Sequence, residues 1–239
     1  APGLKGIANQ GAGYDDIDGE EASRRGIAVF AARGRNAISV AEHVFALLLA
    51  VRKRVLLHHD IVSSGGWRQG KPDTGELFGL TIGIIGLGAI GERTAVLADA
   101  FGMKVIGFDP GRTHSWPKQI ERVADLDDLL ASCDVVSMHV PLVEATRHLI
   151  DAKAIAKMKQ GAILINAARG GVVDETALVD AVESGKLSGA GLDTFEAEPP
   201  GATSPVCRSD RIVLSPHIAG VTPESPDRMS LACAAHIIG

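Results

Sequence analysis

The sequence predicts an α/β protein built on a doubly wound parallel sheet. From Thr81 onward, short apolar runs of strand length alternate with longer segments of helical spacing. The strand-like runs are predominantly apolar, as strands covered on both faces are. A glycine-rich turn, Gly86-Leu87-Gly88-Ala89-Ile90-Gly91, joins the first of them to a helix.

The chain opens with a short apolar stretch around Ile7, read as a strand that ends in the loop Gly11-Ala12-Gly13-Tyr14-Asp15. Asp16 to Arg25 is polar and reads as a helix stopped by Gly26. Ile27 to Phe30 reads as a second short strand. The strongest helical pattern follows, with Val40, Val44, Leu47, Leu48, Val51 and Val55 on one face and the pattern running on to Val62. Ser39 and Glu42 have the spacing of a capping box at its start, and Gly65-Gly66 ends it. The Gly-rich, polar segment from Trp67 to Gly79 reads as a loop connecting domains.

The expected strands of the sheet are Thr81–Ile85, Lys104–Phe108, Val135–His139, Ala162–Asn166, Gly189–Leu192 and Ile212–Leu214. Helical patterns lie between several of them, at Ile90–Phe101, Leu126–Ala131, Asp151–Met158 and Glu175–Ser184. No internal repeat or low-complexity tract is evident.

Composition narrows the function classes. The chain has 239 residues, 46% hydrophobic and 22% charged, which is ordinary for a globular protein with a sizeable core. The formal charge of −5 and the absence of a long basic run argue against a nucleic-acid partner. The longest apolar run, Val44 to Val51, is less than half of the roughly 20 residues a spanning helix needs, so no membrane association is expected. Cys133, Cys207 and Cys233 are odd in number and lack metal-ligand spacing, so they read as reduced thiols in a cytoplasmic protein with no metal site. The chain begins Ala1-Pro2-Gly3 without a Met, which reads as a processed or truncated start.

The glycine turn carries the first chemical signal. It follows an apolar strand and opens a helix, the context that gives such a motif meaning. Gly86 permits the tight turn, Gly88 lets the backbone approach a pyrophosphate, and Gly91 allows close packing of helix on strand. The helix N-terminus then offers N–H groups and partial positive charge to phosphates. A Rossmann-type dinucleotide site is expected. Asp109 ends the next strand, where an acid can accept hydrogen bonds from the adenosine ribose and repel a 2′-phosphate. NAD is therefore favoured over NADP, although nearby Arg112 is of the kind that accommodates the phosphate.

The second signal is a separated trio. Arg169 follows one apolar strand, in Asn166-Ala167-Ala168-Arg169-Gly170-Gly171. Glu198 follows another, in Asp193-Thr194-Phe195-Glu196-Ala197-Glu198-Pro199. His217 follows a third, in Ser215-Pro216-His217-Ile218-Ala219-Gly220. Ligands in open parallel sheets bind beyond the carboxyl ends of the strands, so all three residues can meet at one edge. An Arg grips a carboxylate with two parallel hydrogen bonds. A His held by a Glu exchanges protons near neutral pH. Together they point to hydride transfer between a nicotinamide and a small keto or hydroxy acid.

With these residues assembled, the chain resembles the D-isomer-specific 2-hydroxyacid dehydrogenase family. The stretches that carry the resemblance are GAGYDDID, SVAEHVFALLLAV, GLTIGIIGLGAIG, DVVSMHVPL, INAARGGVVDE, GLDTFEAEP and SPHIAG. The resemblance implies a Rossmann NAD-binding domain at 37–217 and a partial flavodoxin-like substrate domain at 1–36 and 218–239. It implies a homodimer built largely through the helix matching Val40–Val62. It also implies that the chain is cut at both ends, since the family carries further residues before GAGYDDID and a longer last helix.

Residue by residue, the resemblance makes Arg169 the ligand of the substrate carboxylate, His217 the acid/base and Glu198 its paired acid. It places Asp193 near the nicotinamide carboxamide, and Ala12 and Gly13 in a loop whose N–H groups hold the substrate carboxylate. Ala89, Ile90, Val140, Ala168 and Gly220 match positions bordering the cofactor. Ala89 stands where many relatives carry Arg, which removes one pyrophosphate contact. Phosphoglycerate, glycerate or hydroxypyruvate, glyoxylate, lactate and phosphite all stay open as substrates. Two other readings stay open as well: an NAD(H)-responsive corepressor-like binding protein, and a cofactor-binding fragment without turnover.

Overall fold

A computed structural model describes residues 3–11, 13, 17–68, 70 and 73–238. It divides into two compact units, one formed by residues 1–40 and 220–239, the other by 41–219.

In the smaller unit, β1 (Gly6–Asn9) and β2 (Ala28–Ala31) pair in parallel, with α1 (Gly19–Arg24) between them in sequence. The α1 helix begins later than the sequence pattern suggests because the Asp18 carboxylate caps it, accepting the Glu21 N–H at 2.8 Å. The next helix, α2 (Ala37–Lys53), opens two residues before Ser39. Ser39 is therefore inside the helix and not its cap. It is buried, lies 3.2 Å from the Thr222 hydroxyl and accepts a hydrogen bond from Arg228 at 3.3 Å.

The expected single helix from Val40 to Val62 is also broken. Arg54 adopts a left-handed backbone with φ 49°, and α3 (Val55–Ser63) starts after it. Such a conformation is costly for a residue with a Cβ. The Arg54 guanidinium offsets that cost by reaching Asp73 at 3.1 Å and Asp210 at 2.9 Å. These partners are distant in sequence, so helical periodicity does not reveal the break. The described residues of the segment from Trp67 to Gly79 fall in the larger unit. Its Leu77 is buried, and the Gly79 N–H donates to the Gly102 carbonyl at 3.0 Å.

The larger unit is a parallel sheet of β3 (Thr81–Ile85), β4 (Lys104–Phe108), β5 (Ile120–Arg122), β6 (Val135–Met138), β7 (Ala162–Asn166), β8 (Leu187–Leu192) and β9 (Ile212–Leu214). Their spatial order is β5-β4-β3-β6-β7-β8-β9. The edge strand β5 was not expected from the sequence, because it is short and only Ile120 is buried. The order reverses direction between β3 and β6, and open sheets of this type bind ligands at that crevice.

Helices cover both faces, as the apolar strands require. Those following β3 are α4 (Ala89–Ala100), α5 (Leu126–Ser132), α6 (Ala152–Lys157) and α7 (Glu175–Glu183). Leu129, Leu130, Ile155, Met158, Leu178 and Val182 join the strands in one buried cluster. Along α2, Leu47 and Val51 press against Gly191 and Gly189 of β8, each 2.8 Å from where a Cβ would stand, so both glycines are needed for close approach. The last helix, α8 (Glu224–Ile238), belongs to the smaller unit. Among the described residues, no helix is long and apolar enough to cross a membrane.

Candidate functional site

The turn after β3 sits at the switch point. Gly86 has φ 93°, and a Cβ on it would stand 2.6 Å from the His139 carbonyl oxygen and 2.9 Å from Val140. Gly86 and Val140 are thereby brought together from adjacent strand ends. Gly91 packs so closely that a Cβ would lie 2.1 Å from the Gly86 oxygen. Gly88 is different: no heavy atom lies within 4 Å of its would-be Cβ. The backbone there faces open space, at the N-cap of α4, with no side chain capping the helix. The first-turn N–H groups at Ala89 and Ile90 have no partner within the helix. This cradle fits a pyrophosphate.

Asp109 stands beside it. One oxygen accepts the Leu87 N–H at 2.8 Å and the other the Gly111 N–H at 3.0 Å. Each carboxylate oxygen accepts more than one hydrogen bond, so capacity is left for ribose hydroxyls. Arg112 lies at this end as well. Arg112 donates to the Leu87 carbonyl at 2.5 Å and to the Glu92 carboxylate at 2.7 Å.

At the other strand ends the loops are fastened one to another. After β7, Asn166 accepts the Ala168 N–H at 3.1 Å and donates to the Arg169 carbonyl at 2.9 Å, bracing the loop that carries Arg169. The Arg169 guanidinium donates to the Ala168 carbonyl at 2.7 Å. Gly170 then passes so near the chain after β8 that a Cβ would lie 1.7 Å from the Phe195 oxygen. No other residue allows this approach, which sets the Arg169 loop against the Glu198 loop.

Glu198 is the hinge of the trio. One oxygen accepts the Phe195 N–H at 3.0 Å, and the other meets His217 Nδ1 at 2.7 Å. A carboxylate only accepts, so Nδ1 carries the proton and Nε2 is the nitrogen left to exchange one. Burial alone pushes the Glu198 carboxyl pKa up. The hydrogen bonds from His217 and Phe195, with the charges of His217 and Arg169, outweigh it and hold the pKa below the ordinary range. Arg169, Glu198 and His217 thus form one electrostatic group. His217 itself has φ 53°, a strained backbone for a residue with a Cβ, and such strain concentrates at functional positions.

The Asp193 carboxylate fixes that strain. Asp193 is fully buried. Its oxygens accept the Ser215 hydroxyl at 2.6 Å, the Ile218 N–H at 3.0 Å and the Ala219 N–H at 2.8 Å. Ser215 gives its only proton to Asp193, so His43 Nε2, 2.7 Å away, donates to Ser215. His43 and Ser215 were not singled out from sequence, because nothing local links them. Glu175, Glu196 and His148 were also missed. Glu175 and Glu196 accept each other's N–H groups at 2.7 and 3.1 Å, tying α7 to the loop before Glu198, and His148 lies 3.2 Å from Glu196.

The remaining candidates are less central. His139 hydrogen-bonds Ser137 at 2.9 Å, and burial pushes its pKa down to about 3, so it stays neutral and offers no proton. Burial pushes the Cys133 thiol up to about 12, which rules it out as a nucleophile near neutral pH. No cluster able to hold a metal occurs among the described residues. In the smaller unit, Gly13 accepts the Asn9 amide through its carbonyl, and Gly220 lies beside Asn36. Ala12 lies outside the described residues.

Comparison with known proteins agrees with this fold. Residues 45–219 match the family model described as D-isomer specific 2-hydroxyacid dehydrogenase, NAD binding domain. The chain belongs to that family. It is 41% identical over 239 residues to a D-3-phosphoglycerate dehydrogenase of Archaeoglobus fulgidus, covering all of this chain and 45% of that protein. It is 43% identical over 232 residues to a hydroxypyruvate reductase of Thermotoga maritima, covering 95% of this chain and 74% of the other. The chain thus spans less than half of one relative and about three quarters of the other. A D-lactate dehydrogenase from Aquifex aeolicus, solved with NAD and lactic acid, superimposes with a TM-score of 0.89 at 37% identity, covering 99% of this chain and 76% of that one. An acyclic imino acid reductase solved with NADPH and D-Arg gives a TM-score of 0.91 at 32% identity, covering 98% of this chain and 75% of that one.

Proposed function

We propose that this chain acts in an NAD-dependent D-2-hydroxyacid dehydrogenase, which moves a hydride between NAD(H) and C2 of a small 2-keto or 2-hydroxy acid. The observation that carries this reading is the Glu198–His217 pair at 2.7 Å, held on a strained turn at the strand ends of an NAD-binding domain.

The bound nicotinamide supplies the hydride in reduction and takes it up in oxidation. Arg169 binds the substrate carboxylate through its planar fork and draws charge from the neighbouring carbonyl. Protonated His217 delivers the Nε2 proton to the oxygen developing at C2. In the reverse direction, neutral His217 removes it. Ionised Glu198 stabilises the imidazolium and fixes which nitrogen faces the reacting oxygen. Gly86, Gly88 and Gly91 shape the pyrophosphate cradle, Asp109 takes the adenosine ribose, and Ala89, Ile90, Val140 and Ala168 border the cofactor. Asp193 works beneath the site, where it positions the His217 turn.

The same reading gives a homodimer. Val55, Leu56 and Val62 on α3 are each at least half exposed, an apolar face suited to a second copy. The three free cysteines fit a reducing, cytoplasmic setting.

The test is a panel of 2-keto acids with NADH, using hydroxypyruvate, glyoxylate, pyruvate and phosphohydroxypyruvate. We expect turnover of at least one. His217→Ala should lower kcat by roughly 10²–10⁴, the usual worth of a positioned acid/base, with NADH affinity unchanged. Tight NADH binding without reduction of any panel member would overturn the enzymatic reading.

A further inference from the structure

The guanidinium of Arg112 is nearly enclosed, with 2% of its side chain exposed. Nη1 donates to the Leu87 carbonyl at 2.5 Å. Nη2 donates to Glu92 at 2.7 Å and to the Ser115 carbonyl at 2.5 Å, and Nε reaches Ser115 at 3.2 Å. Trp116 covers the group, its ring centroid 5.8 Å from the Arg112 Cζ. A guanidinium has five N–H donors, and these contacts commit four of them.

Leu87 lies between Gly86 and Gly88. Asp109 takes its N–H, and Arg112 its carbonyl. The acid and the cation therefore hold the glycine turn from two sides. The acid keeps accepting capacity toward the ribose, while the cation is spent on the protein. Glu92 is the only side chain in the set that binds Arg112 through opposite charge, and at 40% exposure it remains partly in solvent.

We propose that Glu92 is a cofactor-selecting residue. Its carboxylate anchors Arg112 against the glycine turn, so that a 2′-phosphate would meet the charge of Asp109 while the Arg112 guanidinium beside it is held by the protein. The selection for NADH then has two components, repulsion by Asp109 and sequestration of Arg112 by Glu92. This rests on the dinucleotide reading of the glycine turn.

The experiment measures dissociation constants of NADH and NADPH by fluorescence, with ligand-induced thermal shifts as a second readout. It compares wild type, Glu92→Gln, Arg112→Met and the double variant. Glu92→Gln removes the opposite charge from the tether and should tighten NADPH relative to NADH by about tenfold, the worth of one charge-assisted hydrogen bond. Adding Arg112→Met should abolish that gain, and raising salt should shrink it. Arg112→Met alone should leave the NADPH to NADH ratio near wild type. An unchanged ratio in Glu92→Gln overturns the proposal, as does a gain that survives Arg112→Met. Selective loss of NADPH binding in Arg112→Met alone also overturns it, because Arg112 would then already serve the phosphate. Failure of the wild type to bind NADH would remove the dinucleotide site itself, and the proposal with it.

Discussion

The buried carboxylate of Asp193 accepts the Ala219 N–H at 2.8 Å, and through that bond it controls a residue it does not touch, His217. His217 lies two positions earlier, in a turn closed by its own N–H donating to the Ser215 carbonyl at 3.0 Å. With Ile218 and Ser215 also bound to Asp193, the chain on both sides of His217 is fixed, and the ring is directed at Glu198.

Replacement of Asp193 by Ala should therefore damage stability and turnover together. It leaves the Ala219 N–H without a partner in a buried place, and the Ile218 N–H and Ser215 hydroxyl without one in partly buried places; a buried unsatisfied group costs about 1–3 kcal/mol. The melting temperature should fall by several degrees. Among molecules still folded, kcat should fall more than NADH affinity, because the strained turn relaxes. A melting curve and a turnover assay at one temperature check both. Wild-type turnover by the folded fraction would show that His217 does not depend on this support.

Glu198 makes stability depend on pH in a defined sense. Its carboxyl is held below the ordinary value of 4.5, chiefly by the hydrogen bonds from His217 and Phe195 acting against burial. The folded state thus binds its proton less readily than the unfolded state does. The resulting stabilisation is present in full above the unfolded value and is lost as pH falls through the lower, folded one. Wild type should exceed Glu198→Gln in melting temperature at neutral pH, with the gap closing in acid below about 4.5. Glu198→Gln should also move the acid–base profile of turnover, because the imidazolium loses its counter-charge. A constant gap across the whole range would mean that Glu198 is not ionised in this pair.

Much of this was legible in the sequence, for a physical reason. Strands covered on both faces are predominantly apolar, so β3, β4 and β7 announce themselves, and the residues just beyond their ends inherit a place at the ligand edge. Arg169, Glu198 and His217 were proposed by that logic. The short β5 was not, since only Ile120 is buried in it. The break at Arg54 was hidden because its partners, Asp73 and Asp210, lie far along the chain. The same holds for Glu92 with Arg112, and for His43 with Ser215 and Asp193. A pairwise contact between remote residues leaves no periodic trace.

The glycines of the cradle can be told apart by substitution. A Cβ on Gly88 enters open space, and the backbone there has φ −76°, which any residue adopts. Gly88→Ala should fold with an unchanged melting temperature and yet weaken NADH by about tenfold or more, since the added methyl occupies the approach of the pyrophosphate. Gly86→Ala should instead fail to fold, because its Cβ would stand 2.6 Å from the His139 oxygen on a backbone with φ 93°. Undiminished NADH affinity in Gly88→Ala would mean that the phosphates pass elsewhere.

Arg169 gives the sharpest test of the substrate class. Its loop is fixed by Asn166 and by the close pass of Gly170 along Phe195, so a change of side chain at 169 leaves the backbone in place. Arg169→Lys keeps the positive charge and the electrostatic support of Glu198, but it replaces a planar fork by a point charge. If the substrate is gripped through a carboxylate, the loss of one of two parallel hydrogen bonds should raise KM for keto acids by roughly tenfold. kcat should fall as well, because the carbonyl next to the carboxylate is no longer held in line with His217. NADH affinity should not move. Gly170→Ala is the structural control: its Cβ would stand 1.7 Å from the Phe195 oxygen, so it should lower stability and kcat together. An Arg169→Lys variant with unchanged KM would mean that Arg169 serves the loop alone and that another group receives the carboxylate.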